Sequence, residues 1–216
     1  MNLLLEKANQ ISEGQRYIIG ITGYPGAGKT TLATNLATHI NEALGQEQAA
    51  MVPMDGYHLP NTTLDNLGLR DLKGIPDTFD AQGFVDLLTQ LREVPAKTVY
   101  CPAFDRSIDG SVENAITILP QHKVLVVEGN YLLVKKEPWA KVRPLLDEVW
   151  FIDSTLDTIY DRLIERHVLG GRTPEAAKIK VESTDFPNAR LIEDTRKYAD
   201  RVVQVEFSSK EPAKVG

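Results

Sequence analysis

The sequence predicts an α/β chain, a mostly parallel sheet with helices on both faces. Three observations carry this. Compact apolar runs at residues 17–22, 49–54, 123–127 and 148–152 read as buried strands. Helical segments with apolar residues every three or four positions lie between and behind them. Residues with reactive chemistry follow directly on those runs, at the strand ends where open parallel sheets bind ligands.

The elements follow in order. Residues 1–16 read as a short polar helix or arm ended by Gly14, ahead of one domain over 17–216. Behind the first run, Leu32, Leu36 and Ile40 recur every four residues, and Gly45 is placed to stop that helix. Residues 55–79, rich in Gly, Pro, Asn and Asp, read as a long functional loop. A helix is expected over 81–92, and strands over 98–103 and, more briefly, 115–119. Residues 139–146 suggest a helix interrupted by Pro144. Ser154 and Asp157 form a capping pattern ahead of a helix lined by Leu156, Ile159, Leu163 and Ile164, which Gly170 and Gly171 break. Pro174 suits the first turn of the next helix. A helix over 188–199 and a strand over 202–206 close the pattern.

Composition excludes several function classes. A length of 216 residues allows one sizeable core. A net charge of −6 argues against general affinity for nucleic acid, whose phosphates attract basic surfaces. Cys101 is the single cysteine, so neither an intrachain disulfide nor a cysteine metal cluster can form, and it reads as a small buried apolar residue. Leu3, Leu4 and Leu5 are followed by Glu6 and Lys7, too short a run for an export signal. No run of about 18 apolar residues occurs. The expectation is a cytoplasmic protein with no membrane partner.

Gly23-Tyr24-Pro25-Gly26-Ala27-Gly28-Lys29-Thr30 fits G-x-x-x-x-G-K-[ST], with a strand before it and a helix after it. Such a loop turns backbone N–H groups inward around phosphates at a helix N-terminus. Lys29 then reaches the β- and γ-phosphates of ATP, Thr30 offers a hydroxyl to Mg2+, and Thr31 extends the nucleotide site. Glu128 ends the apolar run 124–127, where a carboxylate holds Mg2+ directly or through water. The alternative is an ordinary strand-ending glutamate. Asp55 ends the second run and suits the base that takes the proton of an acceptor hydroxyl; Asp-Gly is also a common turn pair. Arg166 and Arg172, on either side of Gly170-Gly171, suit a lid near 155–175 that closes over the transferring phosphates. Arg162, one turn before Arg166, reads as part of a solvated charged face. Of the four histidines, His58 alone is placed to touch a substrate.

These motifs, together with Met54-Asp55-Gly56-Tyr57-His58-Leu59-Pro60-Asn61, Lys73-Gly74-Ile75-Pro76-Asp77-Thr78-Phe79-Asp80 and Glu128-Gly129-Asn130-Tyr131, resemble the pantothenate kinase, uridine kinase and phosphoribulokinase group. The resemblance runs from about Tyr17 to Val205 and includes bacterial nucleoside or nucleotide kinase-like proteins, some named fructose transport system kinases. It implies a three-layer α/β/α P-loop nucleoside triphosphate hydrolase fold with a five-stranded parallel core and a helical lid. It implies Asp55 as catalytic base, and an acceptor pocket bordered by Tyr57, His58, Arg70, Lys73 and Asp80, with Asp105 and Arg106 after the third strand. It places Asn188 and Arg196 in a segment near the nucleotide base, and makes a homodimer an expectation. The chain departs from the group in lacking the longer N-terminal region of full pantothenate kinases and the clear uridine-recognition pattern. The function expected is transfer of the γ-phosphoryl group of ATP to a hydroxyl of a small metabolite. The alternative is a P-loop ATPase or nucleotide sensor without an acceptor. The guanine-reading N-K-x-D and the transporter-type L-S-G-G-Q motifs do not occur.

Overall fold

The structure is a computed structural model, and it describes residues 2–45 and 47–205. Helix α1 spans Asn2–Gln10, strand β1 Tyr17–Gly23, helix α2 Lys29–Leu44 and strand β2 Ala49–Pro53. Helix α3 covers Asn61–Leu67 and α4 Ala81–Leu91. Strands β3 (Val99–Asp105), β4 (Gly110–Ile118), β5 (Val124–Glu128) and β6 (Glu148–Asp153) follow. Helices α5 (Leu156–Leu169), α6 (Pro174–Lys180) and α7 (Phe186–Glu193) and strand β7 (Arg201–Gln204) complete the order.

Five strands form one sheet in the order β2-β5-β1-β6-β7, every neighbouring pair parallel. The three-layer α/β/α architecture of P-loop kinases is therefore present. Residues 124–127 are buried on both faces, which explains their unbroken apolar sequence. α2 packs Ala33, Leu36 and Ile40 inward, and Gly45 in the left-handed region (φ 67°) ends it by donating to the carbonyls of Asn41 and Glu42. α4 buries Phe84, Leu88 and Leu91.

Several expectations change. The third strand does not join the main sheet: β3 pairs antiparallel with β4 in a separate two-stranded hairpin. Pro102 lacks the N–H that a central strand needs, and Asp109-Gly110 supplies the turn. Residues 55–79 contain α3 and three short 3-10 turns rather than one open loop. The helix expected over 139–146 is two 3-10 turns, Trp139–Lys141 and Arg143–Leu145. The helix expected over 188–199 is α7 followed by one 3-10 turn at Arg196–Tyr198. The last strand begins at Arg201, and position 206 of its expected range lies outside the described residues.

α1 is joined to the sheet. Leu4 and Ala8 enter the core, and Lys7 Nζ donates to Glu148 Oε2 at 2.8 Å. Among the described residues no helix is long and apolar enough to cross a membrane.

Candidate active site

Sheet register brings three segments to one point. Ile21 and Pro53 both stand opposite Glu128, so β1, β5 and β2 reach the cleft together. The chain then leaves β1 through the phosphate-loop motif and leaves β2 into a 3-10 turn that carries Asp55. The cleft has a volume of about 680 Å³. It is lined by Gly26, Gly28, Lys29, Thr30 and Thr31 of the phosphate-loop motif and by Asp55, His58, Arg70, Lys73 and Arg106.

The motif closes on itself before α2 begins. Ala27 N donates to Tyr24 O at 3.1 Å, and Leu32 N to Gly28 O at 3.0 Å. Gly28 is the residue before the helix and lies in the left-handed region at φ 88°, a conformation a side chain would strain. Gly23 ends β1, and Ala27 is buried beneath the turn. The Lys29 side chain is not exposed. It is buried, and Nζ donates to Tyr24 O at 2.9 Å. Burial pushes its amine down to about 8, with Glu128 and Asp55 opposing the shift and Arg166 adding to it.

Thr30 Oγ1 donates to Glu128 Oε1 at 3.3 Å. Burial pushes the Glu128 carboxyl up to about 7, and the charge of Asp55 pushes in the same direction. Lys29, Thr30 and Arg166 pull it back. A divalent cation beside this carboxyl would favour its charged form. The two hard oxygens of Thr30 and Glu128 therefore fit Mg2+. Among the described residues no group of three or more His, Cys, Asp or Glu could hold a metal.

Asp55 is fixed by a close approach. A Cβ on Gly56 would lie 2.2 Å from the Pro102 carbonyl oxygen, so only glycine lets this turn pack against β3. His58 Nδ1 lies 2.9 Å from Asp55 O, and its ring sits between Phe79 and Phe104, with centroids 4.0 and 4.8 Å away. Burial lowers its pKa. Tyr57 packs edge-on against Phe84, beneath the turn.

Arg166, His167, Gly170, Gly171 and Arg172, at the end of α5 and in the turn after it, also line the cleft. Arg162 reaches back to the phosphate loop, Nη1 donating to Gly26 O at 3.4 Å. His167 Nε2 lies 2.7 Å from Asp185 Oδ2, across to the π-helical turn Val181–Asp185 between α6 and α7. Lys180 Nζ donates to Asp71 O at 2.7 Å, and Asn188 Nδ2 to Gly74 O at 3.1 Å. The lid-side helices thereby grip the 70–74 segment, and Asn188 lies in the cleft wall.

Of the predicted site residues, Gly23, Ala27, Tyr57, Asp80, Asp105 and Arg196 lie outside the cleft lining. Asp80 caps α4, accepting from Gly83 N at 2.9 Å. Asp105 is exposed and accepts from Ser107 N and Oγ at 2.8 and 2.7 Å. Arg196 pairs with Asp153, the last residue of β6, at 2.9 Å. Asn130, to which the sequence reading gave no role, lines the cleft, and its buried Oδ1 has no hydrogen-bond partner. The Glu128-Gly129-Asn130-Tyr131 motif contained it. The amide faces the cleft, whereas Tyr131 beside it is buried. Asp109 is a second addition: it pairs with Lys73 at 3.0 Å and anchors the hairpin turn.

Comparison with known proteins gives the family of the chain. The model of the Phosphoribulokinase / Uridine kinase family matches residues 18–210. The chain is 34% identical over 196 residues to the Schizosaccharomyces pombe protein named "Putative uridine kinase C227.14", covering 88% of this chain and 83% of that one. The crystal structure titled "putative fructose transport system kinase" from Silicibacter sp. TM1040 superposes with a TM-score of 0.82 at 33% identity, over 93% of this chain and 97% of that one. A pantothenate kinase of Enterococcus faecalis is 26% identical over 151 residues, 69% of this chain and 49% of the other. A phosphate loop, a buried carboxylate opposite it and an acidic turn on the neighbouring strand thus stand in a chain that belongs to the phosphoribulokinase/uridine kinase family of P-loop kinases.

Proposed function

We propose that the protein transfers the γ-phosphoryl group of MgATP to a hydroxyl of a small metabolite. The observation that supports this reading is the convergence of Lys29, Thr30, Glu128 and Asp55 on one cleft at the carboxyl ends of β1, β5 and β2. ATP would lie with its phosphates against the N–H groups of residues 26–30 and against Lys29. Thr30 and Glu128 would hold Mg2+, which would supply positive charge to the phosphates. Asp55 takes the proton of the acceptor hydroxyl as its oxygen bonds to the γ-phosphorus and the bond from that phosphorus to the β–γ bridging oxygen breaks, releasing ADP. Arg166 and Arg172 neutralise charge on the phosphoryl oxygens when the lid is closed. Water reaching the γ-phosphate would waste ATP, so closure also serves the chemistry.

The test is incubation of the purified protein with ATP, Mg2+ and pooled hydroxyl metabolites, followed by mass spectrometry. The expected result is a new species heavier by one phosphoryl group, formed in step with ADP. ADP and inorganic phosphate alone, in every pool, would replace this reading with that of an ATPase.

A further inference from the structure

The cleft is cationic in a chain of net charge −6. Seven Lys and Arg side chains line it against four carboxylates. Lys29, Arg166 and Arg172 stand on the side of the phosphate loop and lid, where MgATP accounts for them. The other four surround the acceptor end, and most are already engaged. Arg70 and Lys73 share Asp109, at 3.8 and 3.0 Å, and Arg70 also reaches Asp65 at 3.4 Å. Lys180 is bound to the carbonyls of Asp71 and Lys73, at 2.7 and 3.2 Å.

Arg106 is the exception. Among the described residues its guanidinium makes no hydrogen bond and no ion pair. It stands in the field of Arg166, which depresses its pKa more than any other influence, while Asp55 and Glu128 attract it without ion-pair contact. Two guanidiniums close to each other in a cleft repel unless an anion comes between or beside them. The turn that carries Arg106 is fixed: Asn61 Nδ2 donates to Asp109 O at 2.9 Å, and Lys73 Nζ donates to Asn61 Oδ1 at 2.8 Å. Arg106 is thus held beside the acceptor site rather than left on a free loop. Next to it, Phe79 and Phe104 flank His58 and offer an apolar seat for a carbon chain.

We propose that the acceptor is an alcohol that carries its own anionic group, a carboxylate or a phosphate, and that Arg106 binds that group. The proposal rests on the kinase reading above and narrows it. A neutral acceptor leaves Arg106 uncompensated beside Arg166. An anionic one is drawn into the cleft by the surplus of cations at its acceptor end. A guanidinium suits either group, because its paired donors match two oxygens at once.

The test uses the full chain loaded with Mg2+ and a non-hydrolysable ATP analogue, so that the phosphate loop is filled. Inorganic phosphate and acetate are then titrated separately by calorimetry. Loaded wild type is expected to bind at least one of them. Preference for phosphate points to a phosphorylated acceptor, and preference for acetate to a carboxylate. Arg106→Gln should weaken that binding roughly tenfold to hundredfold, the worth of a charge-assisted contact. Arg106→Lys should recover most of it, and analogue affinity should stay within threefold in both variants. The proposal is overturned if loaded wild type binds neither anion, or if Arg106→Gln binds as well as wild type. It is also overturned if that variant loses analogue affinity equally, which would put Arg106 on the nucleotide phosphates. Analogue binding is read in the same experiment, so failure of the anion site leaves the kinase reading intact. Failure of wild type to bind the analogue would defeat that reading first.

Discussion

Thr30 Oγ1 lies 3.3 Å from Glu128 Oε1, so the first turn of α2 and the last residue of β5 meet at one point. Sequence separates them by almost a hundred positions; the parallel pairing of β1 with β5 closes the gap. Both oxygens are available to a hard cation, and Glu128 is too deeply buried to carry its charge comfortably without one.

Glu128→Gln keeps the shape and the hydrogen bond to Thr30 but removes the charge. The Mg2+ concentration needed for half-maximal turnover should rise roughly tenfold to hundredfold, while the fold stays intact. A magnesium titration of ATP turnover checks this. An unchanged Mg2+ requirement would assign Glu128 to the strand end alone.

Gly56→Ala tests whether the Asp55 turn is set by its contact with β3. The added methyl group would overlap the Pro102 carbonyl, so the turn or the hairpin must move. Stability should fall by about 1–3 kcal/mol, the usual cost of overpacking, and turnover should fall with it as Asp55 shifts. A variant with wild-type melting temperature and turnover would show that the contact is slack.

Glu148 ties α1 to the amino end of the sheet. Its oxygens accept from Lys7, Tyr17, Trp150 and Arg201 at 2.8, 2.7, 2.7 and 2.6 Å. Burial alone would raise its pKa, but these four donors hold it down at about 2. A carboxylate whose folded pKa is depressed adds stability that is full above its ordinary value of 4.5 and is lost as pH falls towards about 2. Glu148→Gln should therefore lose about 1.5–3 kcal/mol at pH 7. It should also show a flatter decline below pH 4.5. Parallel acid-unfolding curves for wild type and variant would contradict this.

Residues 162–172 should become protected from hydrogen exchange when the ATP analogue binds. Arg166 and Arg172 sit at the rim with phosphates to meet, and Gly171 at φ 90° provides a hinge. His167 and Asp185, 2.7 Å apart, connect this segment to the turn before α7, so protection should extend there. Identical exchange with and without the analogue would mark α5 as a static helix.

The main sheet and the nucleotide half of the site were legible because both are written locally. Buried parallel strands read as unbroken apolar runs, and the phosphate loop needs its glycines, lysine and threonine in consecutive order. The acceptor half is written in tertiary contacts. Nothing near Asp80 in sequence distinguishes a helix cap from a pocket wall, and Arg196 gives no local sign of its pair with Asp153. The 98–103 run looked like a core strand because Val99 and Cys101 are buried, yet Tyr100 between them is exposed, the mark of a hairpin with one wet face. Pro102 and Asp109-Gly110 carry that signal in the sequence.

Asp55 separates a kinase from a bare ATPase, because Lys29, Thr30 and Glu128 serve MgATP in either case. The most direct measurement is the rate of phosphorylated-product formation by Asp55→Asn, set against its affinity for the ATP analogue. Asparagine keeps the size and can still hydrogen-bond, but it cannot take the hydroxyl proton. The account predicts a rate lower by roughly 10²–10⁴-fold, the usual worth of a positioned general base, with analogue affinity nearly unchanged. Transfer within a fewfold of wild type, or a collapse of analogue binding, would contradict it.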